Sequence, residues 1–161
     1  MLRSPLVILF IAIIGLVVVF FWFRRDIGNV VSVARELLKE IDDKYTSFIK
    51  KRIRLSVLED RSIDDEREEI IEEAMTVLQP EINELIAHIN ASMAGGLKTN
   101  HKSPYFRSAV STVNHLFTKS GKNPDKALTI EDIEQLNEAF RTGIASDLTQ
   151  RILDLKTGAN L

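Results

Sequence analysis

The amino-acid sequence predicts an all-α protein, with a single N-terminal transmembrane helix followed by a small helical bundle. Three observations predict it. No charged side chain occurs between Pro5 and Phe23, a run of nineteen residues. Beyond that run, apolar residues recur at alternating spacings of three and four, the period of one helix face. The segments so defined are separated by helix start and stop signals, and none shows sustained two-residue alternation of the strand kind.

The uncharged run comes first. Nineteen residues at about 1.5 Å each cover roughly one bilayer hydrocarbon core. A helix satisfies every backbone amide internally, so it is the state a lone segment takes in lipid. Phe20, Phe21, Trp22 and Phe23 gather at one end, where aromatic rings suit the headgroup region. A cleaved signal peptide is the rival reading. It requires a short apolar core and a small-residue cleavage site, whereas this run is long and ends in aromatics and Arg24-Arg25. Residues 1–25 are therefore read as a retained anchor whose partner is the lipid bilayer. Within the first 40 residues, Arg3 precedes the run and Arg24, Arg25, Arg35 and Lys39 follow it. That asymmetry places the following domain in the cytoplasm, from a plasma or inner membrane. A signal-anchor with an exported domain is the competing orientation.

Residues 26–60 form the juxtamembrane amphipathic helix or stalk. Ile27, Val31, Ala34, Leu38, Ile41, Tyr45 and Phe48 make a 4-3-4-3-4-3 seam, and Arg52 breaks it. Two uses compete: a short coiled-coil stalk that dimerises the chain, or the core face of one bundle helix. Val30, Val33, Leu37 and Ile49 widen the stripe, which favours the bundle. Gly28-Asn29 lowers helix propensity and makes a bend there an alternative to a straight helix. Lys50, Lys51, Arg52 and Arg54 form a basic cluster, a solvated face or a docking site.

Residues 61–161 are read as the bundle domain. Ser62 with Asp65 reads as a cap with an acid three residues on. Asp64, Asp65, Glu66, Glu68 and Glu69 then suit the positive end of a helix dipole. Ile71, Met75, Leu78, Ile82, Leu85 and Ile89 form a second seam, which keeps phase across Pro80 and predicts one kinked helix ended by Gly95-Gly96. Ser103-Pro104 predicts the next start, with Phe106, Ala109, Val110, Val113, Leu116 and Phe117 buried and Gly121 and Pro124 as the stop. Thr129 and Asp132 predict a capping box. Ile133, Leu136, Phe140, Ile144, Leu148, Ile152 and Leu155 continue the last stripe, with Gly143 offering a break and Gly158 a C-terminal cap.

The charge pattern bears on function. The net charge is −2, and nothing in the overall balance points to nucleic acid. Nine acids and two bases occupy residues 59–73, whereas six bases and one acid occupy residues 98–126. Such faces either remain solvated or guide helix pairing. The sharper reading makes Glu66, Glu68, Glu69 and Glu72 an acidic docking face for a partner of opposite charge.

Chemical motifs are sparse. The absence of cysteine excludes disulfides and thiolate metal sites. Residues 121–132 resemble a calcium loop through Asn123, Asp125 and Asp132. However, Gly121 stands where the first acid belongs, and Lys126 stands where the turn glycine belongs. His88, His101 and His115 share no zinc spacing, and no phosphate loop or nucleophile elbow occurs. The sequence thus predicts no enzyme, cofactor or metal. It predicts a membrane-anchored module that binds another protein or a second copy through apolar helical seams. A sensory or regulatory helical domain is the alternative. If the C-terminus lies outside, an exported envelope accessory for secretion or lysis replaces it.

Overall fold

The computed structural model describes the backbone of residues 5–92, 99–122 and 127–158. It describes the side chains of residues 11–22, 32–92, 99–119 and 127–158. The described residues are all helical apart from turns and loops. Four helices follow in order: α1 (Pro5–Leu58), α2 (Arg67–Ala91), α3 (Arg107–Lys122) and α4 (Ile130–Thr157).

α1 has 54 residues and is unbroken through Gly28-Asn29, so the propensity dip there does not end the helix. Its wide stripe is a bundle face. Ala34, Leu37, Leu38, Ile41, Tyr45, Ile49 and Ile53 are buried in the core and Phe48 packs against it, whereas Val33 is exposed. Arg52 continues the seam rather than breaking it, because it too is buried. Ile27, Val30 and Val31 lie outside the described side chains. So do the aromatic Phe23 and the basic Arg24 and Arg25. Among the described residues, no helix is long and apolar enough to cross a membrane; the described side chains of the uncharged run are those of 11–22.

α1 ends in a Schellman turn. The Arg61 amide donates to the Ser56 carbonyl at 2.8 Å, and the Asp60 amide donates to the Val57 carbonyl at 3.3 Å. Asp60 occupies the left-handed position, with φ 54°, so the last carbonyls of the helix are satisfied. The Asp65 amide donates to Ser62 Oγ at 3.4 Å, but this caps a single preliminary turn. α2 itself begins at Arg67, four residues later than the sequence predicts. Pro80 lies inside one continuous α2, and every member of the second seam is buried. α2 stops at Ala91, before Gly95-Gly96, which lies outside the described residues.

The Ser103 start is similarly displaced. Ser103 Oγ accepts from the Phe106 amide at 2.9 Å, yet α3 begins at Arg107. The predicted α3 face is buried throughout. Thr129 and Asp132 form the capping box in full, and Gly158, with φ 71°, caps α4. Gly143 does not break α4. A Cβ there would lie 2.7 Å from both Phe106 Cδ1 and the Tyr105 carbonyl oxygen. This glycine lets the start of α3 press against α4. Of the last stripe, Leu155 is an exception at 39% exposed.

Cross-helix pairs give the topology. Lys44 meets Glu81 and Arg52 meets Glu73, so α2 runs antiparallel to α1. Asn90 reaches Leu128, Glu72 reaches Arg141, and Arg67 reaches Thr149, so α4 runs antiparallel to α2. His88 stacks edge-on against Phe117, and Lys119 meets Asp132. The order is therefore up-down-down-up, with α1 and α4 both leading away from the uncharged end. Two polar clamps hold the return segment between α2 and α3. Asn114 bonds both backbone groups of Thr99, at 2.7 and 3.2 Å. Asp42 accepts from Ser103 Oγ at 2.6 Å and lies 2.7 Å from His101 Nε2.

Candidate interaction surface

The charged residues singled out by sequence separate into an internal network and two exposed faces. Arg52 belongs to the first. It is 7% exposed, its Nε donates to Glu73 at 2.9 Å, and its Nη1 donates to Ser56 Oγ at 2.6 Å and to Glu66 at 3.2 Å. Burial works against the Arg52 cation, but the hydrogen bond and charge of Glu73, joined by Glu66, hold its pKa above the ordinary value. Glu66 also accepts from Ser56 at 2.7 Å and pairs with Arg61. Chiefly through the Ser56 hydroxyl, its pKa falls below the usual carboxylate range. The charges of Arg52 and Glu66 thus close the α1–α2 corner from within.

The acidic face is what remains of the second group. Glu68 and Glu69 are exposed on the first turn of α2. Glu72 is bound by Arg141 of α4, whose hydrogen bond lowers the carboxyl's pKa. Met75, Gln79, Glu134 and Glu138 complete a shallow cleft beside that pair.

The basic face lies at the far end of α1. Lys50, Ile53, Arg54, Val57 and Leu58 line one wall of a groove of about 490 Å³, and Arg151 of α4 lines the other. Their spacing of i, i+3, i+4, i+7 and i+8 is a single helical stripe. Val57 and Leu58 are 59% and 74% exposed. Lys50, Lys51 and Arg54 are exposed and have no anionic partner among the described residues. Arg151 donates from Nε to Asp147 at 2.7 Å, and the same carboxylate accepts from the Tyr45 hydroxyl at 2.6 Å. Burial, then Asp147, push the Tyr45 phenol upward, so it stays a donor.

Sequence reading did not find Asp147, Arg151 or the Asp42–His101–Ser103 cluster. Asp147 meets Tyr45 from 102 positions away, and Asp42 meets His101 and Ser103 from 59 and 61, so no local spacing announces those contacts; Arg151 pairs with Asp147 at i,i+4, a local signal that was passed over. The cluster docks a loop rather than activating a hydroxyl. Ser103 is 4% exposed and donates to the carboxylate, not to the imidazole. Asp132 is held by Lys119 and Thr129, and Asn123 and Asp125 of the calcium-like segment lie outside the described residues. Among the described residues, no group of three or more acids and histidines is placed to hold a metal. The chain matches no family model, no curated protein and no solved structure. Its own chemistry carries the functional reading.

Proposed function

We propose that the chain is a membrane-anchored helical interaction or assembly module, a subunit or accessory of a membrane-associated complex. One observation carries the reading. α1 is a single helix that contains both the uncharged residues 5–23 and the core residues Ala34 to Ile53. The side chains of 11–22 are all exposed, and none joins the core. Twelve successive exposed side chains without a charge form a surface that water tolerates poorly and lipid accepts. Tethering a small domain raises the effective concentration of its binding faces toward partners in the same membrane. The excess of basic residues after the run puts the bundle on the cytoplasmic side.

The test is expression of the full chain, alkaline extraction of its membranes, and a C-terminal topology reporter. The chain is expected to stay with the membrane, with a cytoplasmic C-terminus, and to copurify with a partner in mild detergent. Release into the alkaline wash would sink the anchor, and recovery with no partner would sink the module. The continuous helix keeps a sensory role as the second reading, since a twist of the anchor would reach the core directly. An exported C-terminus would favour an envelope accessory protein instead.

A further inference from the structure

We infer that the groove between the last two turns of α1 and Arg151 of α4 takes the apolar face of an acidic amphipathic helix from a partner protein. The inference rests on the reading of the chain as an interaction module and names the chemistry of one partner. Its floor is Ile53 with exposed Val57 and Leu58, and its rim is Lys50 and Arg54, with Lys51 adjacent. A stripe from position 50 to 58 is about 12 Å long, which matches two turns of an incoming helix.

Charge complementarity selects the occupant. Arg52, Arg61, Arg141, Arg151, Lys44, Lys119 and Lys156 all meet carboxylates of this chain. Lys50, Lys51 and Arg54 do not; Arg35, Lys39, Arg67, Lys102 and Arg107 also meet no carboxylate among the described residues, but none of those five lines this apolar groove. Carboxylates flanking an apolar stripe on a partner would meet those cations at the rim and steer the approach. A lipid headgroup fits the site less well. Lys50 lies 27 residues beyond Phe23 on one helix, about 40 Å and several Debye lengths from the bilayer surface. Two copies meeting groove to groove would oppose like charges.

The experiment is panning of a displayed library of random 16-residue peptides against the full chain in phosphatidylcholine nanodiscs. The wild type is compared with Val57→Asp/Leu58→Asp and with Lys50→Glu/Arg54→Glu, each checked for unchanged helicity. The peptides enriched by the wild type should carry apolar residues at three-four spacing and net negative charge. Both variants should weaken them at least tenfold, and added salt should weaken them further. Enrichment that ignores both variants, or that selects neutral or basic peptides, would overturn the inference. So would self-association of the wild type that the Val57→Asp/Leu58→Asp variant abolishes, because a second copy would then fill the groove. Binding to phosphatidylglycerol discs that depends on Lys50 and Arg54 without peptide enrichment would likewise assign the site to lipid. Partner copurification that survives in both variants would end the groove proposal while leaving the interaction module standing.

Discussion

Gly143 is the residue at which close packing is most exposed to test. A methyl group there must displace the Tyr105 carbonyl and the Phe106 ring, both 2.7 Å from its position. Alanine gains about 1 kcal/mol of helix propensity over glycine, but overpacking costs typically 1–3 kcal/mol and backbone yields less readily than a side-chain tip. Gly143→Ala should therefore lower unfolding stability by about 1 kcal/mol in a urea titration. Arg52 shows the asymmetry of buried charge. Arg52→Ala removes a donor from Ser56, Glu66 and Glu73, leaving Glu66 only Ser56 and Arg61, and should cost about 3 kcal/mol; Arg52→Leu combined with Glu66→Leu should recover most of that loss, read by the same titration. Titration gives a third prediction. Glu66, Glu72 and Asp132 all have folded pKa values below their ordinary 4.5, 4.5 and 3.8. Their contribution is complete above those values and is lost as pH falls through the lower folded ones. Stability should thus hold from pH 7 to 5 and drop below about pH 4. Tyr45 has the opposite sign, with a folded pKa raised from 10.0. Its contribution is complete below pH 10 and declines above it, and Tyr45→Phe should flatten that alkaline limb in thermal melts. Little of this was legible beforehand. Arg52 read as a break in an apolar seam because a one-dimensional pattern does not reveal that Glu66 and Glu73 fold back to meet it. Gly143 read as a helix break because its neighbour, Phe106, is 37 positions away.

The helices themselves were legible because their information is local. The α2 and α3 faces are apolar at the helical period, and every residue assigned to them is buried. The capping box of Thr129 and Asp132 is a four-residue signal and forms as read. Ser62 and Ser103 also cap as their spacing implies, with acceptance from the amides three residues on. What failed there was the inference from cap to helix. A capped turn need not continue, and α2 and α3 begin at Arg67 and Arg107. Two predictions belong to element ends. Thr129→Ala removes the side chain that accepts from the Asp132 amide at 3.1 Å and should cost about 1 kcal/mol. Asp60→Gly relieves the left-handed cost that a side chain bears at φ 54°. It should raise stability by up to about 1 kcal/mol, because the Schellman turn needs no side chain at that position. Thermal unfolding of the two variants should move in opposite directions.

At the scale of the whole molecule, α1 is one helix of two unlike parts. Its first part carries no charge, and its second part supplies the face on which α2 packs. The up-down-down-up order sends α1 and α4 outward together, so their far ends share the basic groove while the acidic face lies along α2 and α4. Seam residues that could have formed a coiled-coil stalk, from Ala34 to Tyr45, are buried within the bundle of one chain. On the proposed function, one helix both anchors the bundle and holds its far end away from the bilayer. The most direct test is the height of a fluorescent label at position 54 above a dye-labelled bilayer, measured by energy transfer on the reconstituted full chain. Thirty-one residues separate Arg54 from Phe23 on α1, so the label is expected about 45 Å above the membrane surface, less a modest tilt. A label within about 15 Å of the surface, the scale of a helix lying on the headgroups, or a chain that does not enter the bilayer at all, would contradict the account.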